Sequence, residues 1–337
     1  MRALIDASGW PEAVAHYRMF PFEPSAAPDL DIHIEQVVPL EGINLEAVLG
    51  EMSRADDEEA EILIVSHGTV AEGSTGGLTM PLARGCDVDA MRDEVRAVTE
   101  AAIALQESAS DPLSWARFIE DPQARRNVQT LATPQQGPEL LQQWLQARAD
   151  SLHLSKQQLL ALAERRNEVA ARRFRRVEIR ACNLGAFPEA MQALLEFFGA
   201  ERLLAPQVTT LCGRLRVRII EDQDRYQQWI QSRGAPGGGS SFEGGEGPSG
   251  RTFGQALCLR IRERSPESNT FELEAAAPSE QALQSWVENY IMRGSGYCGH
   301  GALYISALWT FGQPGLPQPY VLPGEPEYRS LIASASV

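Results

Sequence analysis

The chain has 337 residues, enough for one large domain or two modest ones, and its 43% hydrophobic and 22% charged composition is that of an ordinary soluble globular protein. A net charge of −15, distributed along the chain with Glu51 to Glu61 acidic and Arg165 to Arg180 basic, argues against a general nucleic-acid binder, because neutralising phosphates needs a basic surface. No apolar run approaches the roughly 18 residues of a membrane helix, and the opening MRALIDASGWPEAVAHYRMF holds no long uncharged apolar stretch, so neither a membrane partner nor a secretory signal is expected.

In chain order, Asp29 to Leu40 alternates and is rich in β-branched residues, which predicts a strand. Asn44 to Arg54 carries apolar residues at helical spacing behind an Asn cap. Ile62 to Gly68, ILIVSHG, reads as a strand buried on both faces, and the three segments together form a βαβ unit. From 87 to 176 the texture changes to Ala, Leu, Gln, Glu and Arg with few β-branched residues, predicting a helical insertion that includes a helix capped by Ser155.

Strand character resumes in RRVEIRACNLG, followed by a helix over Phe187 to Phe198 with proline in its first turn and a strand in ERLLAPQV. Arg172 to Arg180 reads as a solvated helix end leading into that first strand, the alternative being a basic patch for an acidic partner. The tract 234–250, GAPGGGSSFEGGEGPSG, has the composition of a flexible linker or loop. Beyond it lie a strand over Ala256 to Glu263, a helix over Ser279 to Arg293 and a Gly-, Pro- and aromatic-rich tail without strong pattern. The organisation expected is an α/β core from 1–86 and 177–230, the helical insertion 87–176, the linker 234–250, and a C-terminal part 251–337 completing the core or a substrate pocket.

Two strands of a parallel sheet, if neighbours, end at the same edge, where ligands bind in open α/β sheets. One ends in Val65-Ser66-His67-Gly68, the other in Ile179-Arg180-Ala181-Cys182-Asn183, so an imidazole and a thiol would share one rim. Pairing of Cys and His from distant segments is what thiol nucleophilic catalysis requires. Taken singly, a Cys at a strand end is a small core residue and a His before Gly a turn residue; the pairing is what raises both.

A strand ending in His-Gly followed by a later strand ending in Ala-Cys resembles the caspase-like cysteine peptidases, and Gly76-Gly77-Leu78 shortly after His67-Gly68 fits the same pattern. The resemblance spans Asp29 to about Leu82 and Arg176 to about Thr210. Arg-Ala-Cys-Asn-Leu is not the caspase pentapeptide and the His-to-Cys interval is long, which puts the chain nearer to bacterial CHAT-type proteases than to true caspases.

The resemblance implies a caspase-like α/β fold with a mostly parallel sheet flanked by helices, and a cysteine endopeptidase acting on a protein or peptide substrate. Cys182 would attack the scissile carbonyl and His67 would move the proton. The backbone N–H of Gly68, joined by that of Cys182, would hold the oxyanion, with no cofactor and no metal. Members of the resembled family choose either an acidic or a basic side chain beside the scissile bond; no motif here fixes which, and the acidic net charge tilts the expectation towards Arg or Lys. The alternative is a catalytically inactive relative that docks a regulatory protein through the helical insertion.

A second Cys/His pair, Cys298 and His300, lies in a glycine-rich stretch and reads as a wall of the substrate pocket; as half of a zinc site it lacks a second pair at ligand spacing. Cys86, Cys212 and Cys258 read as structural, and His16, His33 and His153 as surface residues. Five widely spaced cysteines, an odd number, suit a reducing cytoplasm rather than a disulfide framework.

Overall fold

The structure is a computed structural model that describes the backbone of residues 2–6, 37–40, 45–54, 61–65, 68–69, 77–78, 88–233, 241–242, 245–246, 251–253, 257–264, 271–286, 303–309, 320–321 and 326–337. Side chains are described over 45–54, 61–64, 88–208, 218–229, 276–285 and 328–337. These residues form a mixed α/β structure with one mostly parallel sheet, a second mostly antiparallel sheet, and helices.

The strands are β1 (Arg2–Asp6), β2 (Val37–Leu40), β3 (Glu61–Val65), β4 (Gly68–Thr69), β5 (Gly77–Leu78), β6 (Arg176–Arg180), β7 (Arg202–Pro206) and β8 (Thr209–Ile219). There follow β9 (Ser241–Phe242), β10 (Gly245–Glu246), β11 (Arg251–Phe253), β12 (Leu257–Arg264), β13 (Phe271–Ala277), β14 (Leu303–Trp309), β15 (Tyr320–Val321) and β16 (Ile332–Ser336). The helices are α1 (Leu45–Met52), α2 (Val88–Glu107), α3 (Pro122–Leu131), α4 (Gly137–Ser151), α5 (Lys156–Ala171), α6 (Pro188–Phe198), α7 (Gln223–Arg233), α8 (Glu280–Trp286) and α9 (Pro326–Ser330).

The first sheet runs β16-β7-β6-β3-β1-β2, parallel throughout except for antiparallel β16. The chain therefore starts in β1, steps to one side for β2, returns across β1 to β3 and continues outward through β6 and β7. That is a doubly wound order with its reversal beside β1, the arrangement whose crevice opens beyond the carboxyl ends of the strands.

Strand alternation divides the sheet's residues between its two faces. Ile62 and Ile64 of β3, Val177 and Ile179 of β6, and Leu203 and Ala205 of β7 all enter one buried cluster with α1, α2, α5 and α6. Leu63, Glu178 and Leu204 are paired across neighbouring strands and point the other way. Burial of both faces is why β3 reads as an unbroken apolar run.

The helices pack by their periodicity. On α1 the positions Leu45, Val48, Leu49 and Met52 form one fully buried stripe. The central helix is α2, which packs against both α5 and α6; its many small residues, Ala97, Ala101, Ala102 and Ala104, are buried and let those neighbours approach. Ser155 and Gln158 form a reciprocal capping box at the start of α5, as the sequence predicts for Ser155. Buried Arg166 on α5 donates to the Phe197 carbonyl at 3.1 Å and to that of Glu196, capping the end of α6. Burial pulls the pKa of this guanidinium down, and the Glu196 carboxylate offsets part of that.

Several elements depart from the sequence reading. The first strand, β1, lies between β2 and β3, so the predicted βαβ strands are not neighbours. The patternless tail yields β14, and β16 completes the first sheet against β7. The described part of the predicted helix from Ser279 is Glu280–Trp286, while Asn44 and most of 234–250 lie outside the described residues. The second sheet, β11-β12-β13-β8-β14-β15, has no counterpart in the expected organisation. Its only parallel pairing among the described residues is β8 with β13. Among the described residues no helix is long and apolar enough to cross a membrane.

Candidate functional site

The strand preceding the predicted nucleophile carries three charges inside the protein. Arg-Val-Glu-Ile-Arg of β6 is buried at every position, with Val177 and Ile179 in the helical core and Arg176, Glu178 and Arg180 on the opposite face. This corrects the expectation of a solvated Arg172 to Arg180: Arg173 and Arg175 are exposed, but β6 is not. The buried charges neutralise one another along a line. Arg176 meets Glu61 at 2.7 Å and Glu178 at 3.5 Å, and Arg180 donates to the other oxygen of Glu178 at 3.1 Å. Side-chain exposure falls along this series from 20% at Glu61 through 7% at Arg176 to 1% at Glu178 and 0% at Arg180.

Beyond Arg180 the alternation continues. Ala181 is fully buried in the helical cluster, in series with Val177 and Ile179, whereas partly buried Cys182 is outside that cluster. The chain then turns sharply. Asn183 takes a left-handed conformation, φ 63°, which asparagine tolerates better than most residues, and its N–H donates to the Val208 carbonyl at 3.2 Å. The Leu184 N–H returns to the Ala181 carbonyl at 3.3 Å, and a 3-10 turn over Leu184–Ala186 leads into α6 through Pro188.

Gly185 lets this turn lie on the sheet, since a Cβ there would stand 2.5 Å from the Ala205 carbonyl oxygen and 2.9 Å from the Ala333 side chain. The thiol is thereby held at a rigid strand-to-helix corner, at the carboxyl end of β6. Two more turns of the same rim are tied together by Arg92 of α2, which pairs with Asp89, Asp93 and, at 3.1 Å, Glu189 of α6. Those three acids hold its guanidinium above its ordinary pKa, the hydrogen bond that its Nε–H donates to Asp93 being the largest cause.

On the neighbouring strand, β3 is parallel to β6 in a register that sets Val65 opposite Arg180. His67, two positions after Val65, lies outside the described residues. The chain is described again at Gly68, where β4 pairs antiparallel with β5, Gly68 opposite Leu78. Cys298 and His300, with Cys86, His16 and His33, also lie outside the described residues. In the second sheet Cys212 is opposite Ser306 and Cys258 opposite Thr252. His153 is exposed just past α4, with φ 58°.

The signal for the charged line was present in the sequence as charges alternating with Val and Ile in the segment read as a strand, although the arginines leading into it were read as solvated. A cleft of about 680 Å³ opens elsewhere, between Leu105 and Gln106 of α2 and Leu160, Asn167 and Ala170 of α5. It lies towards the end of α5 that feeds the start of β6, hence at the opposite edge of the sheet from Cys182. Among the described residues no group of three or more His, Cys, Asp or Glu side chains is placed to hold a metal ion. Comparison of the chain with protein-family models, with curated proteins and with solved structures gave no match.

Proposed function

We propose that the protein is a cysteine endopeptidase of the caspase-like kind, with Cys182 as nucleophile and His67 as its proton-transfer partner. The observation that carries this reading is the pairing of β3 with β6 as adjacent parallel strands, Val65 opposite Arg180, so that the segments leading to His67 and Cys182 leave the sheet side by side at one rim.

The rigid corner after Cys182 supports the reading, because a nucleophile fixed at a tight turn is pre-positioned for attack on a carbonyl carbon. Gly68 and the Cys182 N–H are the proposed oxyanion donors, and Cys298 with His300 the proposed pocket wall. No cofactor takes part, and the cytoplasm, in a bacterial cell, is the proposed setting.

Labelling the full chain with electrophilic peptides of varied residue beside the warhead tests this directly. Mass spectrometry should find the adduct on Cys182, lost in Cys182→Ala and strongly slowed in His67→Ala. Adducts spread evenly over several cysteines would refute the reading.

A second reading, a scaffold without turnover that docks a regulatory protein through 87–176, is favoured by α3. None of its residues is buried, and Leu131 at its end is 76% exposed. Cleavage of any peptide that depends on Cys182 excludes this alternative.

A further inference from the structure

Ion pairs sealed in a protein interior are poor sources of stability, because the cost of desolvating two charges offsets their attraction. The line Glu61, Arg176, Glu178, Arg180 therefore needs a reason beyond folding. Its direction supplies one. The pairs grow drier towards the carboxyl rim, and the last charge, fully buried, is the cation Arg180. Arg180 lies on the face of β6 opposite to Val177 and Ile179, and Cys182 follows two positions later, roughly 7 Å from Cα to Cα at ordinary strand rise.

We infer that Arg180, clamped by Glu178, is the positioning residue that supplies the positive charge holding Cys182 as a thiolate. A cation near a thiol in a poorly solvated site favours its ionised form. Glu178 pairs with Arg180 from two positions further down the strand, so the opposing carboxylate is carried by a residue twice as far along the chain from Cys182 as Arg180 is. The inference rests on Cys182 being the reactive thiol of the proposed function.

Among the described residues, other charged or titratable groups stand around this rim, including Asp6, which ends β1 beside β3. On the same face are Arg176 and Glu61 further down the line, and Tyr328 and Arg329 of α9, where Tyr328 packs on Leu204. On the helical face Asp89, Arg92, Asp93 and Glu189 pair with one another. His67 comes two positions after the end of β3 in the sequence and lies outside the described residues. The residues from Pro206 to Val208 bring no charge.

The test is the pH dependence of iodoacetamide alkylation of Cys182, read on its own tryptic peptide in the full-length chain, a measurement that needs no substrate. In the unaltered protein the midpoint should lie below the ordinary thiol value of about 8.5; a midpoint at or above it overturns the inference. Arg180→Met should raise the midpoint by about one unit and slow alkylation at pH 7 severalfold, and Arg180→Lys should restore most of it. Glu178→Gln with Arg180→Met removes the pair as a unit, guards against a variant that fails to fold with one charge stranded, and should also raise the midpoint.

An unmoved midpoint in either folded charge-removing variant refutes the role of Arg180. Peptide probes that react while the midpoint stays fixed sink this inference alone. A midpoint that moves while no peptide probe reacts sinks the endopeptidase reading alone.

Discussion

Gly185 shows how much one hydrogen atom decides at this corner. Replacing it by alanine drives a methyl group to 2.5 Å from the Ala205 carbonyl oxygen, a backbone atom of β7 that cannot swing aside. Gly185→Ala should cost about 2–3 kcal/mol in urea unfolding, and because the strain sits three residues from Cys182, alkylation of that thiol should change as well. An alanine variant of native stability would mean that the turn does not press on the sheet. The place of Cys182 just past the end of β6 was legible in the sequence, since a strand pattern running into Ala-Cys-Asn is a local signal. Gly185 was not, because its constraint comes from β7 and β16, distant in sequence. Arg180 was misread for a different reason: single charges default to the surface, and only the alternation R-V-E-I-R, with the partner Glu61 far upstream, marks them as interior.

At the scale of elements, legibility follows how locally each is specified. The capping box at α5 is written within four residues, and Ser155→Ala should remove about 1 kcal/mol, seen as a lower urea midpoint with unchanged slope. Its distance from the rim predicts an unchanged titration of Cys182. The long α2 announces itself by spacing, and the apolar runs of β3 and β6 by composition. By contrast β16 is Ile-Ala-Ser-Ala-Ser, with little apolar bulk, and is a strand because Leu203, Leu204 and Ala205 of β7 give it a partner. Likewise β1 has only five residues at the head of the chain, and it becomes a strand by lying between β2 and β3. The alternating Arg and apolar residues of β8 carried a pattern, but its neighbours β13 and β14 arrive much later in the chain.

At the scale of the molecule, the question is whether the helices of 87–176 form a separate layer or belong to the core. The burial pattern separates them into two groups. Met91, Val95 and Val98 of α2 and Leu159, Leu162 and Val169 of α5 share one buried cluster with Ile62, Ile179 and Leu203 of the sheet. A parallel crossover from β3 to β6 must be built from helix, and these two helices serve as that crossover. By contrast α3 buries none of its residues. Elements that share a core open together, whereas an element held by few buried contacts opens alone at low free energy. Hydrogen exchange of the native chain should therefore show the amides of Pro122–Leu131 exchanging first, with α2, α5, β3 and β6 protected to a common and much greater degree. Tryptic cleavage at Arg125 or Arg126 should leave that protection intact, because neither residue packs into the core. If α2 and α5 instead exchange with α3, well ahead of β3 and β6, the segment is an appended layer, and the corner that holds Cys182 is supported by α6 and the sheet alone.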